Sequence, residues 1–186
     1  MNTDFTDGVV SLALRFYSRA LKYPYDELTY EFQNILREAE KKIRTDFDNT
    51  VAASILDVIN FYQGEEMKDL QAEFTRLFTP MDEEPPLISL QLLDINARLD
   101  TVDLFDRIYE SSLFIENEDL PDSIPFVLDY FAVLITDDLD EAETFFEKYL
   151  RHILPQLNEQ IFNASNLNFY KEAAKGLNEL VYLLAG

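Results

Sequence analysis

Apolar residues recur at three- and four-residue intervals along nearly the whole chain, and only prolines, acidic turns and a glycine interrupt the pattern. That period belongs to helices packed by one face. Residues 7 to 22 set Val9, Leu12, Ala13, Phe16 and Ala20 on one side, and Tyr23-Pro24 ends the helix, because proline disfavours helical backbone in the residue before it. Asp26 is placed to cap a second helix carrying Leu28, Phe32, Ile35, Leu36, Ala39 and Ile43. Asp48 or Thr50 starts a third, with Ile55, Val58, Ile59 and Tyr62 inward and Gly64 as its stop. A fourth spans about residues 65 to 78 and presents Leu70, Phe74, Leu77 and Phe78.

Residues 79 to 86 (TPMDEEPP) hold three prolines and three acids and read as a loop. Helical pattern resumes from Leu87 to about Phe114, with Leu92, Leu99, Val102, Phe105, Ile108 and Tyr109. A second acidic loop covers 116 to 122 (ENEDLPD). Asp122 is then expected to cap a helix with Pro125 in its first turn and Phe126, Val127, Tyr130, Val133 and Leu134 inward. Asp137 to Asp140 mark the next start, and Leu139, Ala142, Phe145, Phe146 and Tyr149 continue inward. Pro155 is expected to kink or divide that run. A last helix runs from about Leu167 to Leu184, with Tyr170, Ala173, Ala174, Leu177, Leu180 and Val181. No strand or internal repeat is evident. The expected architecture is all-α: a single compact domain over residues 1 to 186, built of eight or nine helices.

Much chemistry is excluded by what is missing. The chain has no cysteine, hence no disulfide, thiolate metal site or cysteine nucleophile. Its four glycines (Gly8, Gly64, Gly176, Gly186) are scattered, so it has no phosphate-cradling loop and no dinucleotide fingerprint. The single histidine, His152, cannot form a two-histidine metal site, and Tyr149 stands where a helical Glu-x-x-His motif would need its glutamate. We read His152 as a surface or boundary residue. The acids at Asp137, Asp138 and Asp140 suit a helix start. No cofactor or metal is predicted.

The formal charge is −21, and residues 81 to 147 hold 19 of the 36 acids against Arg98 and Arg107 alone. Such a surface repels phosphate backbones and anionic lipid, so nucleic acid is excluded as a partner. Two readings of the acidic stretch stand: a solvated or salt-adapted surface, and an acidic face that attracts a cationic peptide. The aromatic and isoleucine content argues against salt adaptation. No run reaches the roughly 18 apolar residues that span a bilayer. The N-terminus carries Asp4 and Asp7 and no basic residue, unlike a signal peptide, so a cytoplasmic location is expected.

Three segments stand out from helix filler: Phe74-Thr75-Arg76-Leu77-Phe78, Leu120-Pro121-Asp122-Ser123-Ile124-Pro125 with Leu128-Asp129-Tyr130-Phe131, and Leu154-Pro155-Gln156-Leu157. In order and spacing they resemble the TorD/DmsD/NarJ family of redox-enzyme maturation chaperones, nearest to its NarJ-like branch, over roughly residues 10 to 184. The family's usual tyrosine in the first element is here Phe74, a ring without the hydroxyl, and the histidine after Pro-Asp is Ser123. The resemblance implies the helical chaperone fold and no catalysis. It implies binding of the N-terminal, often twin-arginine leader region of a molybdopterin-dependent oxidoreductase catalytic subunit, held until cofactor insertion and assembly or export. It also implies a possible homodimer by helix exchange about the 79–86 or 116–122 loop.

A leader peptide is apolar with an arginine pair, so its receptor needs an apolar groove beside carboxylates. The groove is expected around Phe74, Leu77, Phe78, Pro121, Asp122, Pro125, Asp129 and Tyr130, with Asp119, Asp122 and Asp129 as arginine partners. Asp129 and Tyr130 lie seven and eight residues beyond Asp122, near one helical face. Against this, Phe74, Leu77 and Phe78 also sit at plain core spacing, and Asp122 also suits a helix cap. Two other functions remain open: a helical adaptor binding a folded partner, and a carboxylate–Mg²⁺ enzyme, for which no convergent set of acids is evident.

Overall fold

The structure, a computed structural model, describes residues 7–25, 30–32, 34, 49–79, 87–88, 93, 102–104, 106 and 123–186. All regular structure among them is helical. Helix α1 is Asp7–Ala20, α2 Asn49–Gly64, α3 Met67–Phe78, α4 Ile124–Asp137, α5 Leu139–Phe145, α6 Arg151–Ala164 and α7 Asn168–Ala185. A π turn, Phe146–Leu150, joins α5 to α6. Residues 30–32 and 34 are also helical, which agrees with the second predicted helix as far as it is described.

Helices α1 and α4 pack antiparallel, and two small hydroxyl residues join them. Ser11 Oγ donates to the Ala132 carbonyl and Ser18 Oγ to the Pro125 carbonyl, both at 3.0 Å. Both serines are buried, so a hydropathy pattern misses them, yet each satisfies its hydroxyl on the facing backbone. The buried side of α1 also includes Val10, Leu14 and Tyr17 beside the predicted Ala13, Phe16 and Ala20.

Helices α2 and α7 also run antiparallel. Tyr62 meets Phe169 at one end, and Gly176 lies against Ser54 and Tyr17 further along. A Cβ on Gly176 would stand 2.0 Å from Ser54 Oγ and 2.2 Å from the Tyr17 hydroxyl, so only glycine admits this approach. The core is rich in rings. One chain of contacts runs Tyr23–Phe74–Phe78–Tyr170–Phe169–Tyr62–Phe32–Phe16–Tyr17, with successive centroids 4.8 to 5.9 Å apart. A second cluster joins Tyr130, Phe131, Phe145, Phe146 and Tyr149. The tilted and edge-on ring geometries are those that aromatic quadrupoles favour.

Two boundary expectations are corrected. Ser123, and not Asp122, is the N-cap of α4: its Oγ accepts from the Phe126 amide at 3.3 Å. A hydroxyl three residues before a free amide fills this role as well as a carboxylate does. Gly64 ends α2 as expected, though without a left-handed backbone, since the only glycine with positive φ among the described residues is Gly186. Pro155 does not divide its helix into two; it lies inside α6, and the irregularity in hydrogen bonding is the π turn upstream. Proline deprives the Arg151 carbonyl of its usual donor, and the wider π turn ends immediately before that residue.

Candidate functional site

Helix α3 carries the Phe74-to-Phe78 element, and four anchors fix it. Leu70 and Leu77 are wholly buried. The Tyr170 hydroxyl donates to the Leu70 carbonyl at 3.1 Å, and Gln71 Nε2 donates to the Pro24 carbonyl at 3.1 Å. The Ile88 amide donates to the Leu77 carbonyl at 2.8 Å, so the chain beyond the proline-rich stretch returns to the end of α3.

The strongest anchor is Glu73. Arg76 donates to both of its oxygens, from Nε at 2.8 Å and Nη2 at 2.7 Å. The Ser165 hydroxyl and the Asn166 amide donate to Oε1, and Arg76 Nη2 also donates to the Ala164 carbonyl at 2.6 Å. Burial would raise the Glu73 pKa, but these donors overcome it and hold the carboxyl down at about 2, against an ordinary 4.5. The pair ties α3 to the α6–α7 connection. Arg76 stood in the quoted motif without a role; its partner is a side chain one turn away on the same helix.

Phe78 and Phe74 are half-buried and pack against each other with tilted rings, and the Tyr23 ring meets Phe74 edge-on at 5.4 Å. Tyr23 is 48% exposed, so the aromatic chain opens to solvent there. On the other side of residues 19–25 lies Asp129 of α4, half-buried and already paired: Arg19 Nη1 donates to its Oδ2 at 3.1 Å, and Lys22 Nζ lies 4.0 Å away. Arg19 Nε also lies 3.3 Å from Glu31 Oε2.

Asp129 apart, the predicted residues therefore separate into three groups. Phe74 and Phe78 reach the surface together with Tyr23. Leu77, Pro125 and Tyr130 are buried. Asp119, Pro121 and Asp122 lie outside the described residues. The expectation that Asp129 and Tyr130 share a face with Asp122 is corrected for the described pair. Successive helical residues point about 100° apart, and Tyr130 turns inward onto Phe145 at 5.0 Å while Asp129 turns to Arg19. What sequence reasoning missed is the segment from Arg19 to Tyr25, which touches both α3 and α4. Its signal was the tyrosine pair flanking Pro24, Tyr23 and Tyr25, read only as a helix end.

Elsewhere, His152 is exposed, and no group of three or more metal-ligating side chains converges among the described residues. Among them, too, no helix is long and apolar enough to cross a membrane.

This all-helical fold is one already seen in a solved structure. A crystal structure from Archaeoglobus fulgidus, assigned to a redox enzyme maturation protein, is similar with a TM-score of 0.51 at 14% identity, covering 95% of this chain and 94% of that one. No curated protein matches the chain. The chain belongs to the nitrate reductase delta subunit family, whose model matches residues 40–172, more than two thirds of its length. Members of this family are chaperones rather than enzymes.

Proposed function

We propose that this chaperone holds the N-terminal or leader segment of the catalytic subunit of a molybdopterin-dependent oxidoreductase until cofactor insertion and assembly or export. The family match over residues 40–172 carries this reading. The site supports it: an aromatic surface formed by Tyr23, Phe74 and Phe78 lies near carboxylates that already bind a guanidinium. Apolar side chains of a leader would lie against the rings, and its arginines would face Asp129, with Asp119, Pro121 and Asp122 contributing from the preceding stretch of sequence. Leu77, Pro125 and Tyr130 would shape the surface from beneath. We further infer that the chain works as one helical unit in the cytoplasm, without membrane insertion, and that a homodimer would form by helix exchange at the 79–86 or 116–122 stretch.

The test is affinity capture of the chain from its host, with mass spectrometry of what is recovered. A molybdopterin-dependent catalytic subunit should dominate, and Asp122→Lys with Asp129→Lys should weaken its recovery. Recovery of folded, unrelated proteins alone, while that subunit is expressed, would overturn the reading in favour of an adaptor.

A further inference from the structure

Arg19 sits in the last turn of α1 and reaches carboxylates from two other segments. Its Nη1 donates to Asp129 Oδ2 of α4, and its Nε lies 3.3 Å from Oε2 of Glu31. Among the described residues, Lys22 Nζ stands 4.0 Å from Asp129, and the Tyr25 hydroxyl donates to the other Glu31 oxygen at 2.9 Å. Two carboxylates approaching different edges of one planar guanidinium make a receptor that an ammonium would fill poorly. The side chains of Arg19, Glu31 and Asp129 keep 32%, 38% and 32% of their surface open, so this cation is not locked into the core. An ion pair so exposed is weak enough to exchange. The next exposed side chain along α1's exit is Tyr23, on the aromatic surface.

We propose that Asp129 and Glu31 form a guanidinium clamp, that Arg19 is its resident occupant in the free protein, and that an arginine of the bound polypeptide displaces Arg19. This rests on the polypeptide-holding function proposed above. The resident arginine has two effects. It neutralises the clamp until a client arrives, and it sets a threshold: a segment without arginine gains nothing at the clamp, because Arg19 keeps it. The exchange lowers apparent affinity by the fraction of molecules in which Arg19 is bound.

The test uses the full chain and two short labelled apolar peptides, identical except that one carries an Arg-Arg pair and the other Gln-Gln, with binding read by fluorescence anisotropy. Arg19→Gln should tighten binding of the Arg-Arg peptide about threefold, the range set by a partly exposed ion pair, and leave the Gln-Gln peptide unchanged. Asp129→Asn should abolish the preference for Arg-Arg. In the unmodified chain, the Arg19 guanidinium resonances should shift on adding Arg-Arg but not Gln-Gln; this readout needs no variant to fold. Arg-Arg binding that is unchanged or weakened in Arg19→Gln, with an undisturbed Arg19 resonance, overturns the clamp. If both peptides bind equally to every variant, the clamp fails while the holding function stands. If neither binds at all, both fail.

Discussion

Replacing Glu73 with Gln tests whether the buried pair on α3 is a stabilising anchor. The carboxylate takes donors from Arg76, Ser165 and Asn166, which hold its pKa at about 2 against an ordinary 4.5. A folded-state pKa below the unfolded value contributes stability that is complete above the unfolded pKa and is lost as pH falls through the folded one. The shift corresponds to about 3 kcal/mol at neutral pH. The side chain is 7% exposed, so solvent screening removes little of this. Urea unfolding of both proteins at constant ionic strength, over a series of pH values, isolates the group, because the other acids cancel in the difference. The wild-type advantage should be about 3 kcal/mol near pH 7, hold down to about pH 5, and shrink to under about 1 kcal/mol near pH 2.5. A difference that stays constant across that window would refute the assignment of the stabilisation to the ionised carboxylate.

Gly176→Ala should cost about 2 kcal/mol in thermal or urea unfolding, because its Cβ would run into Ser54 Oγ and the Tyr17 hydroxyl; adding Ser54→Gly should recover part of the loss. Ser123→Ala should cost about 1 kcal/mol through the lost α4 cap, and Ser123→Asp should retain most of it. Tyr23→Ala should leave stability within about 0.5 kcal/mol while reducing client recovery, since the ring is half-exposed. Leu77→Ala should do the reverse in kind, losing about 3 kcal/mol of stability as a core truncation.

Helix positions were legible because apolar periodicity and proline breaks are local. The expected 65 to 78 and 167 to 184 helices appear as Met67–Phe78 and Asn168–Ala185. The family resemblance, carried by three short segments, was legible for the same reason: each segment is continuous in the chain. Interactions between distant residues were not. Arg19 and Asp129 are 110 residues apart, and Glu73 and Asn166 are 93 apart, so nothing local marks either pair. The buried hydroxyls of Ser11 and Ser18 read as polar and were left out of the α1 face. Choosing between adjacent caps, Asp122 and Ser123, needs the helix register to within one residue, which a period of 3.6 does not supply.

Whether this chain prepares a catalytic subunit for its cofactor is read most directly from the molybdopterin content of that subunit, purified from otherwise identical hosts with and without the chain. The subunit should accumulate largely without cofactor when the chain is missing and be restored when it is supplied again. Equal cofactor content in both hosts would contradict that role.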